Sequence, residues 1–308
     1  MKILVTGGAG FIGSHVVEHF QDRAQIRVLD NLRSGHRRNL DGLQAEWHEG
    51  SIVDREAVRR AVDGVDTVFH LAALVSVPES VSEIGTCVDI NVHGLVNVLE
   101  EAAAAGVKKL CFASSAAVYG EHPANPKTED LPPDPRSPYA ITKLDGEYYC
   151  DLFSRSGRLE TTSLRFFNVF GPRQDPNSAY GAAVPIFMTR ALRGESITIF
   201  GDGRQTRDFI YVKDIVGALA FAADTPGLTG SYNVGYGDTL SIEDLARRII
   251  AAAGSGSQIE FGPPRAGDVR FSQADPSKLF DAGFRPEYSL DRGLEITLEQ
   301  YRQDLGRG

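Results

Sequence analysis

The sequence predicts an α/β protein built on a doubly wound parallel sheet, with a smaller mixed domain in its C-terminal half. Strand-like and helix-like segments alternate through the first half of the chain, which is typical of βαβ units. The alternation stops after residue 171, where a loop rich in Pro, Gly and Asn begins. We therefore expect a sheet domain over residues 1–167 and a second domain over 168–308, with the chain re-entering the first around 208–235.

Short apolar runs mark the expected strands of the sheet domain. They are KILVTG, IRVLD, TVFHLAA and KKLCFASS, and each ends in small or polar residues. Helical patterns lie between them in GSHVVEHFQDR, REAVRRAVDG and NVHGLVNVLEEAAAAG, the last of which ends at Gly106 as a helix C-cap would. A further apolar run, TTSLRFFNVFG, closes this half of the chain.

Composition and charge narrow the class of protein. The 308 residues carry a formal net charge of −9, which argues against nucleic acid as a general partner. The three cysteines are far apart and odd in number, so neither a disulfide framework nor a CxxC metal site is predicted, and a reducing cytoplasm fits best. The sequence contains neither a signal-peptide pattern nor the roughly 18 apolar residues of a membrane span, so we expect no membrane association.

A glycine-rich loop directly follows the first expected strand. LVTGGAGFIGSH places Gly7, Gly10 and Gly13 between that strand and the first helix. The glycines let the backbone turn tightly and approach a pyrophosphate, while the helix N-terminus offers amide donors and a favourable dipole. This spacing in this context predicts a Rossmann-type nucleotide site.

An acidic residue ends the second expected strand. Asp30 lies where a carboxylate accepts hydrogen bonds from the adenosine ribose, which favours NAD over NADP because the same carboxylate would repel a 2′-phosphate. Arg33 keeps the alternative open, since its guanidinium could meet that phosphate.

The first helix also contains the pattern H-x-x-E-H, formed by His15, Glu18 and His19, which occurs in some zinc enzymes. The same residues form the first turns of the helix that packs beside the nucleotide, and a metal would compete for that face. We expect no metal site here.

A tyrosine and a lysine are separated by four positions in SPYAITKLDGEYY. On a helix Tyr139 and Lys143 share one face, so both side chains can point at one target. A nearby ammonium group stabilises a phenolate, and we expect it to lower the pKa of Tyr139 from about 10. A tyrosine with such a pKa exchanges a proton near neutral pH.

The glycine loop, Ser114 and Ser115, the Tyr139–Lys143 pair and RFFNVFGPRQDP together resemble the extended short-chain dehydrogenase/reductases. The sequence is most similar to their NAD-dependent nucleotide-sugar epimerases, in the group acting on UDP-glucose and UDP-N-acetylglucosamine, over essentially the whole chain. The resemblance implies that Tyr139 takes the proton of the sugar 4-hydroxyl while hydride passes to NAD. Ser115 would hydrogen-bond the same oxygen, and Lys143 would hold the nicotinamide ribose. The 4-keto sugar then rotates and hydride returns to its other face.

The resemblance also implies a set of NAD contacts. They are Gly7, Gly10, Phe11, Ile12, Gly13, Asp30, Asn31, Leu32, Arg33, Ser34, Gly35, Ser51, Ile52, Leu71, Ala72, Ala73, Asn91, Ser114, Tyr139, Lys143, Phe166 and Val169. Two positions depart from the best-known bacterial members, because Ser51 replaces the usual Asp beside the adenine and Val75 replaces a Lys.

Isolated cations in the C-terminal half suit a UDP-sugar, whose diphosphate is bound well by guanidinium groups. By resemblance Arg207 and Arg265 bind the diphosphate and Asp268 the uridine ribose. Thr198 and Phe200 form the uracil slot, and Asn168 contacts the sugar or diphosphate. The remaining expected substrate contacts are Ser115, Tyr139, Ala183, Val184 and Ser272.

The position four residues after Asp268 acts as a gate in the resembled family. It is often tyrosine where only small hexoses are accepted, and it is Ser272 here. A small residue leaves room for an N-acetyl group, so we expect UDP-GlcNAc and UDP-GalNAc as substrates in addition to UDP-glucose and UDP-galactose.

Other functions remain as alternatives. Dehydratases and decarboxylases of this superfamily carry an acid just after the catalytic hydroxyl residue, where this chain has Ala116 and Ala117. Epimerisation of UDP-glucuronate is compatible with the alanines, although such enzymes often have Thr at the position of Asn168. A non-catalytic NAD-sensing regulator would usually lack the Tyr-Lys pair.

The resembled enzymes form dimers through two helices of each subunit. The corresponding segments are 91–105 and 139–155, where apolar residues occur on more than one face. We therefore expect a homodimer.

Overall fold

The computed structural model describes residues 1–176, 182–264 and 269–306. Its chain divides into two compact units. Unit 1 comprises residues 1–120, 132–166 and 216–232, and unit 2 comprises residues 121–131, 167–215 and 233–308.

Unit 1 is built around a seven-stranded sheet. Its strands are β1 (Lys2–Thr6), β2 (Gln25–Asp30), β3 (Glu46–Glu49), β4 (Thr67–His70), β5 (Lys109–Ser115), β6 (Glu160–Phe166) and β11 (Gly230–Val234). They lie in the order β11-β6-β5-β4-β1-β2-β3, and the pairings from β3 through to β6 are parallel. The predicted fold class is thereby confirmed.

The helices of unit 1 follow the strands in alternation. They are α1 (Phe11–Phe20), α2 (Arg55–Val62), α3 (Val77–Ser82), α4 (Ile84–Val88), α5 (Gly94–Ala104), α6 (Pro138–Arg155) and most of α8 (Val212–Asp224). A π-turn over Asp89–His93 joins α4 to α5, and two 3₁₀ turns lie at Arg37–Leu40 and Ala116–Tyr119. Gly106 has φ +75°, the left-handed conformation that glycine adopts after a helix end.

The core of unit 1 forms where amphipathic helices cover the apolar strands. Val58 of α2 and Leu99 of α5 are fully buried against Leu4, Val68 and Leu110 of the sheet. Because strands buried on both faces are continuous apolar runs, the sequence signal for this sheet is strong. The short strand β3, EWHE, lacks such a run and lies at the edge of the sheet, which is why the apolar pattern does not predict it.

Unit 2 contains small sheets and the remaining helices. The strands are β7 (Asn168–Phe170), β8 (Ile197–Phe200), β9 (Thr206–Arg207), β10 (Phe209–Tyr211), β12 (Leu240–Ser241), β13 (Ile259–Gly262) and β14 (Phe271–Ser272). The helices are α7 (Ala183–Arg193), α9 (Ile242–Ala253), α10 (Ser277–Asp281) and α11 (Leu290–Gly306). Among the described residues, no helix is long and apolar enough to cross a membrane.

Candidate active site

The order of the strands creates a switch point in unit 1. From β1 the chain moves outward through β2 and β3, and then returns to add β4 on the other side of β1. Ligands of doubly wound sheets bind at the carboxyl ends of the strands at such a point. The glycine loop follows β1 there, and Leu71, Ala72 and Ala73 follow β4.

Two positions in the loop after β1 accept only glycine for steric reasons. Gly7 has φ +72°, and a Cβ at this position would lie 2.7 Å from the backbone nitrogen of Ala72. A Cβ on Gly13 would lie 2.1 Å from the carbonyl oxygen of Gly7. Only glycine lets the backbone pack this closely at the N-terminus of α1, and no acidic side chain occupies the first turn of that helix. These are the properties that a bound pyrophosphate requires.

The Asp30 carboxylate is held in place by backbone amides. It accepts hydrogen bonds from Ala9 at 2.9 Å and from Leu32 at 2.8 Å, and the residue is 7% exposed. Leu32 has φ +57°, so the chain turns sharply after β2. The arrangement anchors the acid beside the glycine loop, where a ribose would need it.

The Arg33 guanidinium is engaged by an acidic partner. It forms an ion pair with Glu79 of α3 at 2.7 Å, and both side chains are exposed to similar extents. This pairing competes with a 2′-phosphate for Arg33 and so favours NAD.

Ser115, Tyr139 and Lys143 come together at the carboxyl end of β5. Ser115 caps the 3₁₀ turn at Ala116–Tyr119 by accepting a hydrogen bond from the amide of Ala117 at 3.2 Å. Its side chain also hydrogen-bonds the phenol of Tyr139. Ser137 and Pro138 start α6 just before Tyr139, which places the tyrosine and the lysine on consecutive turns of this helix.

Lys143 lies under the tyrosine ring. Its ammonium group is 5.8 Å from the ring centroid of Tyr139 and donates a hydrogen bond to the carbonyl oxygen of Ala113 at 2.7 Å. Burial lowers the pKa of Lys143 to about 8. The lysine is thus held in position by a backbone carbonyl oxygen.

The expected lowering of the Tyr139 pKa is wrong for the protein without its cofactor. Burial of the Tyr139 phenol raises its pKa above the ordinary value of 10, although the hydrogen bond from Ser115 lowers it. Desolvation of the phenol by burial outweighs the effect of that hydrogen bond.

Two residues expected to contact NAD have side chains that bind elsewhere in the protein. Both the oxygen and the nitrogen of the Asn91 carboxamide bind the backbone of Leu74, and the nitrogen also reaches the Thr142 hydroxyl at 3.0 Å. The Ser114 hydroxyl donates to Glu147 at 2.5 Å. Cofactor contacts through these two residues stay predictions.

The other expected NAD contacts in unit 1 lie around the same strand ends. Phe11 and Ile12 open α1, and Phe166 ends β6. Segments after β2 and β3 supply the remaining residues, Asn31, Ser34, Gly35, Ser51 and Ile52. Ser51 accepts a hydrogen bond from the amide of Val53 at 3.2 Å, so its hydroxyl organises the turn before α2.

The expected substrate residues of unit 2 are spread over its strands and α7. Ser272 of β14 and Arg207 of β9 are direct partners in a parallel ladder. Thr198 of β8 accepts a hydrogen bond from Arg190 at 3.1 Å, while Phe200 ends that strand. The others are Asn168 and Val169 on β7 and Ala183 and Val184 on α7, with Val184 buried in the core. Arg265 and Asp268 lie outside the described residues.

Polar groups that the sequence did not single out also occur here. Thr6 ends β1, and its hydroxyl hydrogen-bonds the imidazole of His70 at 2.9 Å. Burial lowers the pKa of His70 to about 3, so this ring is neutral at physiological pH. Among the described residues, no group of three or more His, Cys, Asp or Glu side chains is arranged to hold a metal.

The chain is similar to known proteins of one family. Residues 3–235 match the model of the NAD dependent epimerase/dehydratase family. The chain is 38% identical to the UDP-glucose 4-epimerase of Mycolicibacterium smegmatis over 310 residues, covering 98% of this chain and 99% of the relative.

Two solved structures share the fold over nearly the whole chain. One is UDP-glucose 4-epimerase from Thermotoga maritima with UDP-glucose, at 40% identity and a TM-score of 0.95, covering 99% of this chain and 100% of that one. The other is UDP-N-acetylglucosamine 4-epimerase from Methanobrevibacter ruminantium in complex with UDP-N-acetylmuramic acid. Its identity is 37%, its TM-score is 0.95, and 98% of each chain is covered.

Proposed function

Because the chain belongs to the NAD dependent epimerase/dehydratase family, we propose that it is a UDP-sugar 4-epimerase that interconverts UDP-glucose and UDP-galactose, and UDP-GlcNAc and UDP-GalNAc. The observation that carries the proposal is the convergence of Ser115, Tyr139 and Lys143 at the carboxyl end of β5, with Ala116 and Ala117 directly after the serine. The predicted resemblance and the predicted NAD cofactor are confirmed by the family match.

The residues present fit NAD. The glycine loop suits the pyrophosphate, and Asp30 suits the adenosine ribose hydroxyls. Lys143 is the residue that would hold the nicotinamide ribose. When bound, NAD supplies a hydride acceptor and donor and a positive charge in the pocket.

Tyr139 carries the proton chemistry in this proposal. The phenol oxygen takes the proton of the sugar 4-hydroxyl, and Ser115 hydrogen-bonds the same sugar oxygen. Because burial raises the pKa of the phenol, Tyr139 holds its proton in the cofactor-free protein. Its activation therefore depends on positive charge in the loaded site, including that of the Lys143 ammonium.

Ala116 and Ala117 favour return of the hydride over other outcomes. They form the start of the 3₁₀ turn directly after Ser115 and carry no group that can move a proton at the sugar C5. Dehydratases and decarboxylases need such an acid at this place. The 4-keto sugar therefore rotates in the site and is reduced on its other face.

The range of sugars is proposed from unit 2. Ser272 stands opposite Arg207, the proposed diphosphate ligand, so a residue at 272 lies close to the path of the nucleotide-sugar. Its short side chain leaves space that an N-acetyl group at C2 can fill. The relative that is named a UDP-N-acetylglucosamine 4-epimerase supports this wider range.

A homodimer is proposed from an apolar face on α6. Ile141, Tyr148 and Leu152 lie on one side of this helix and are 47%, 60% and 60% exposed. Exposed apolar residues at this spacing suit a helix–helix interface. Small-angle scattering tests the proposal, and a monomer at micromolar concentration would contradict it.

The function is tested by incubating the purified protein with single UDP-sugars and NAD, with no reductant added. UDP-glucose should yield UDP-galactose, and UDP-GlcNAc should yield UDP-GalNAc, with kcat/KM values within about a thousandfold of each other. UDP-glucuronate forms the third arm of the panel. Turnover of UDP-glucuronate alone would replace the proposed substrates, and NAD binding without turnover of any sugar would indicate a regulator.

A further inference from the structure

A third polar residue continues the face of α6 that carries Tyr139 and Lys143. Glu147 follows Lys143 by four positions and is 4% exposed. Its carboxylate forms a two-pronged ion pair with Arg165 of β6, at 2.9 Å from Nε to Oε1 and 2.7 Å from Nη2 to Oε2. The two side chains are 7% and 4% exposed, so the pair is buried on both sides.

Three hydroxyl groups complete the network around this pair. Ser114 of β5 donates to Glu147 at 2.5 Å, and Ser231 of β11 donates to the other carboxylate oxygen at 3.0 Å. The Nη1 of Arg165 donates to the Tyr119 hydroxyl at 2.7 Å. Tyr119 ends the 3₁₀ turn that Ser115 begins.

The network therefore surrounds Ser115 on both sides along the chain. Ser114 precedes it, and Tyr119 closes the turn that follows it. Glu147 lies two helical turns after Tyr139 on the same face of α6. The ion pair thus ties the element that carries the tyrosine to the strand and the turn that carry the serine.

We propose that Glu147 and Arg165 are positioning residues, which hold Tyr139 in hydrogen-bonding register with Ser115. The inference rests on the proposed function. Neither residue needs to touch the substrate, because each acts through the elements it joins. Fixing a proton-transfer pair to within a fraction of an ångström strongly affects the rate, since a displacement of about 1 Å can cost on the order of a hundredfold.

The energetics of buried ion pairs favour a positioning role for Glu147 and Arg165 over a stabilising one. A buried ion pair gains little net stability over well-packed apolar side chains, because removing both charges from water costs about as much as their attraction returns. The pair instead fixes the orientation of the two side chains, because the planar guanidinium and carboxylate bind each other bidentately. Its effect should therefore appear in kcat more than in substrate binding.

The test compares Glu147→Gln with Glu101→Gln. Glu101 of α5 serves as the control, because its side chain is 7% exposed and ion-paired with Arg55 and Arg59 of α2, outside the network around Glu147. We expect Glu147→Gln to lower kcat about tenfold or more, with KM and NAD affinity within about twofold. Glu101→Gln should lower the Tm less, because Arg55 and Arg59 are 52% and 57% exposed, and should leave kcat within about twofold.

A milder variant covers the case in which Glu147→Gln does not fold. Tyr119→Phe removes the hydroxyl that accepts the Arg165 hydrogen bond and should lower kcat about threefold or more at unchanged KM. The proposal is overturned if the kcat of Glu147→Gln stays within about twofold of wild type. If Glu147→Gln does not fold, the same result in Tyr119→Phe overturns it. So does an equal loss of kcat in Glu101→Gln.

A spectroscopic readout separates this inference from the proposed function. The phenol of Tyr139 is titrated by NMR in isotope-labelled protein, and its resonance is assigned by its disappearance in Tyr139→Phe. Glu147→Gln should shift the Tyr139 resonance or its titration midpoint, whereas Glu101→Gln should leave both unchanged. If the wild type epimerises no UDP-sugar, the proposed function fails and this titration alone decides the positioning role, which an unmoved Tyr139 would refute.

Discussion

The Lys143 ammonium donates a hydrogen bond to the backbone carbonyl of Ala113 while lying 5.8 Å from the ring centroid of Tyr139. Tyr139 and Lys143 share one face of α6, and Ala113 precedes Ser115 by two positions on β5. This contact fixes a cation beneath the Tyr139 phenol. The site thus combines a buried lysine with a tyrosine whose pKa is raised by burial.

Replacing Tyr139 by Phe should abolish turnover. The change removes the only atom proposed to take the proton of the sugar 4-hydroxyl, and loss of a general base lowers kcat by about a hundredfold to ten-thousandfold. The Kd for the UDP-sugar, measured by calorimetry, should change little. Tyr149→Phe is the control, because Tyr149 is 39% exposed on the same helix and lies outside the proposed dimer face. Near wild-type activity in Tyr139→Phe would refute the assignment.

Replacing Lys143 by Met should stabilise the cofactor-free protein at neutral pH while destroying activity. The folded-state pKa of about 8 lies below the ordinary value of 10.5, so the unfolded chain binds this proton more tightly. Keeping the charged lysine folded therefore costs stability below about pH 8, and the cost disappears as the pH rises from about 8 to about 10.5. We expect a gain of about 2 kcal/mol in the free energy of unfolding at neutral pH after the lost hydrogen bond is counted.

Urea unfolding at several pH values measures this effect. The advantage of Lys143→Met over wild type should shrink as the pH rises through that window. Lys108→Met is the control, since the Lys108 side chain is 79% exposed. A Lys143→Met protein that is less stable than wild type at neutral pH would contradict the pKa argument.

Replacing Asp30 by Asn should weaken NAD binding and reduce discrimination against NADP. The Asn side chain keeps the shape of the carboxylate but has one acceptor oxygen in place of two. It cannot accept hydrogen bonds from both backbone amides and from the ribose at once, so we expect about a tenfold rise in Kd for NAD. Adding Glu79→Gln should improve NADP binding further, because it releases Arg33 from its ion pair. Fluorescence titration with both cofactors measures the ratio, and an unchanged ratio in the double variant would contradict this role for Arg33.

Replacing Gly13 by Ala should damage the glycine loop. The added Cβ would lie 2.1 Å from the Gly7 carbonyl oxygen, which forces the loop to move. We expect a loss of about 2 kcal/mol or more in the free energy of unfolding together with weaker NAD binding. Gly85→Ala is the control, because a Cβ there meets no atom within 4 Å. Equal Tm values for the two variants would contradict the steric argument.

Replacing Ser272 by Tyr should narrow the substrate range. A large side chain opposite Arg207 would fill the space assigned to the N-acetyl group, so kcat/KM for UDP-GlcNAc should fall at least about tenfold relative to UDP-glucose. Ser277→Tyr, at an exposed position on α10, is the control. An unchanged ratio of the two kcat/KM values would show that residue 272 does not limit the sugar.

The sequence predicted the parts of this protein that depend on local pattern. The glycine loop, Asp30 at a strand end and the Tyr139–Lys143 spacing all lie within short segments, and the structure positions them by the rules of strand and helix geometry. The Arg165–Glu147 pair was not foreseen, because its partners lie 18 residues apart on different elements and become neighbours only through packing. The pKa of Tyr139 was misjudged for a related reason, since the sequence shows the neighbouring charge but not the burial.

The central claim is that hydrogen leaves C4 of the sugar and returns to the same carbon on its other face. UDP-glucose carrying deuterium at C4 tests this most directly, with the product analysed by mass spectrometry and NMR. We predict UDP-galactose that retains the deuterium at C4, formed in ordinary water with no added reductant. Product that has lost the label to solvent, or a dehydrated sugar in place of UDP-galactose, would contradict the account.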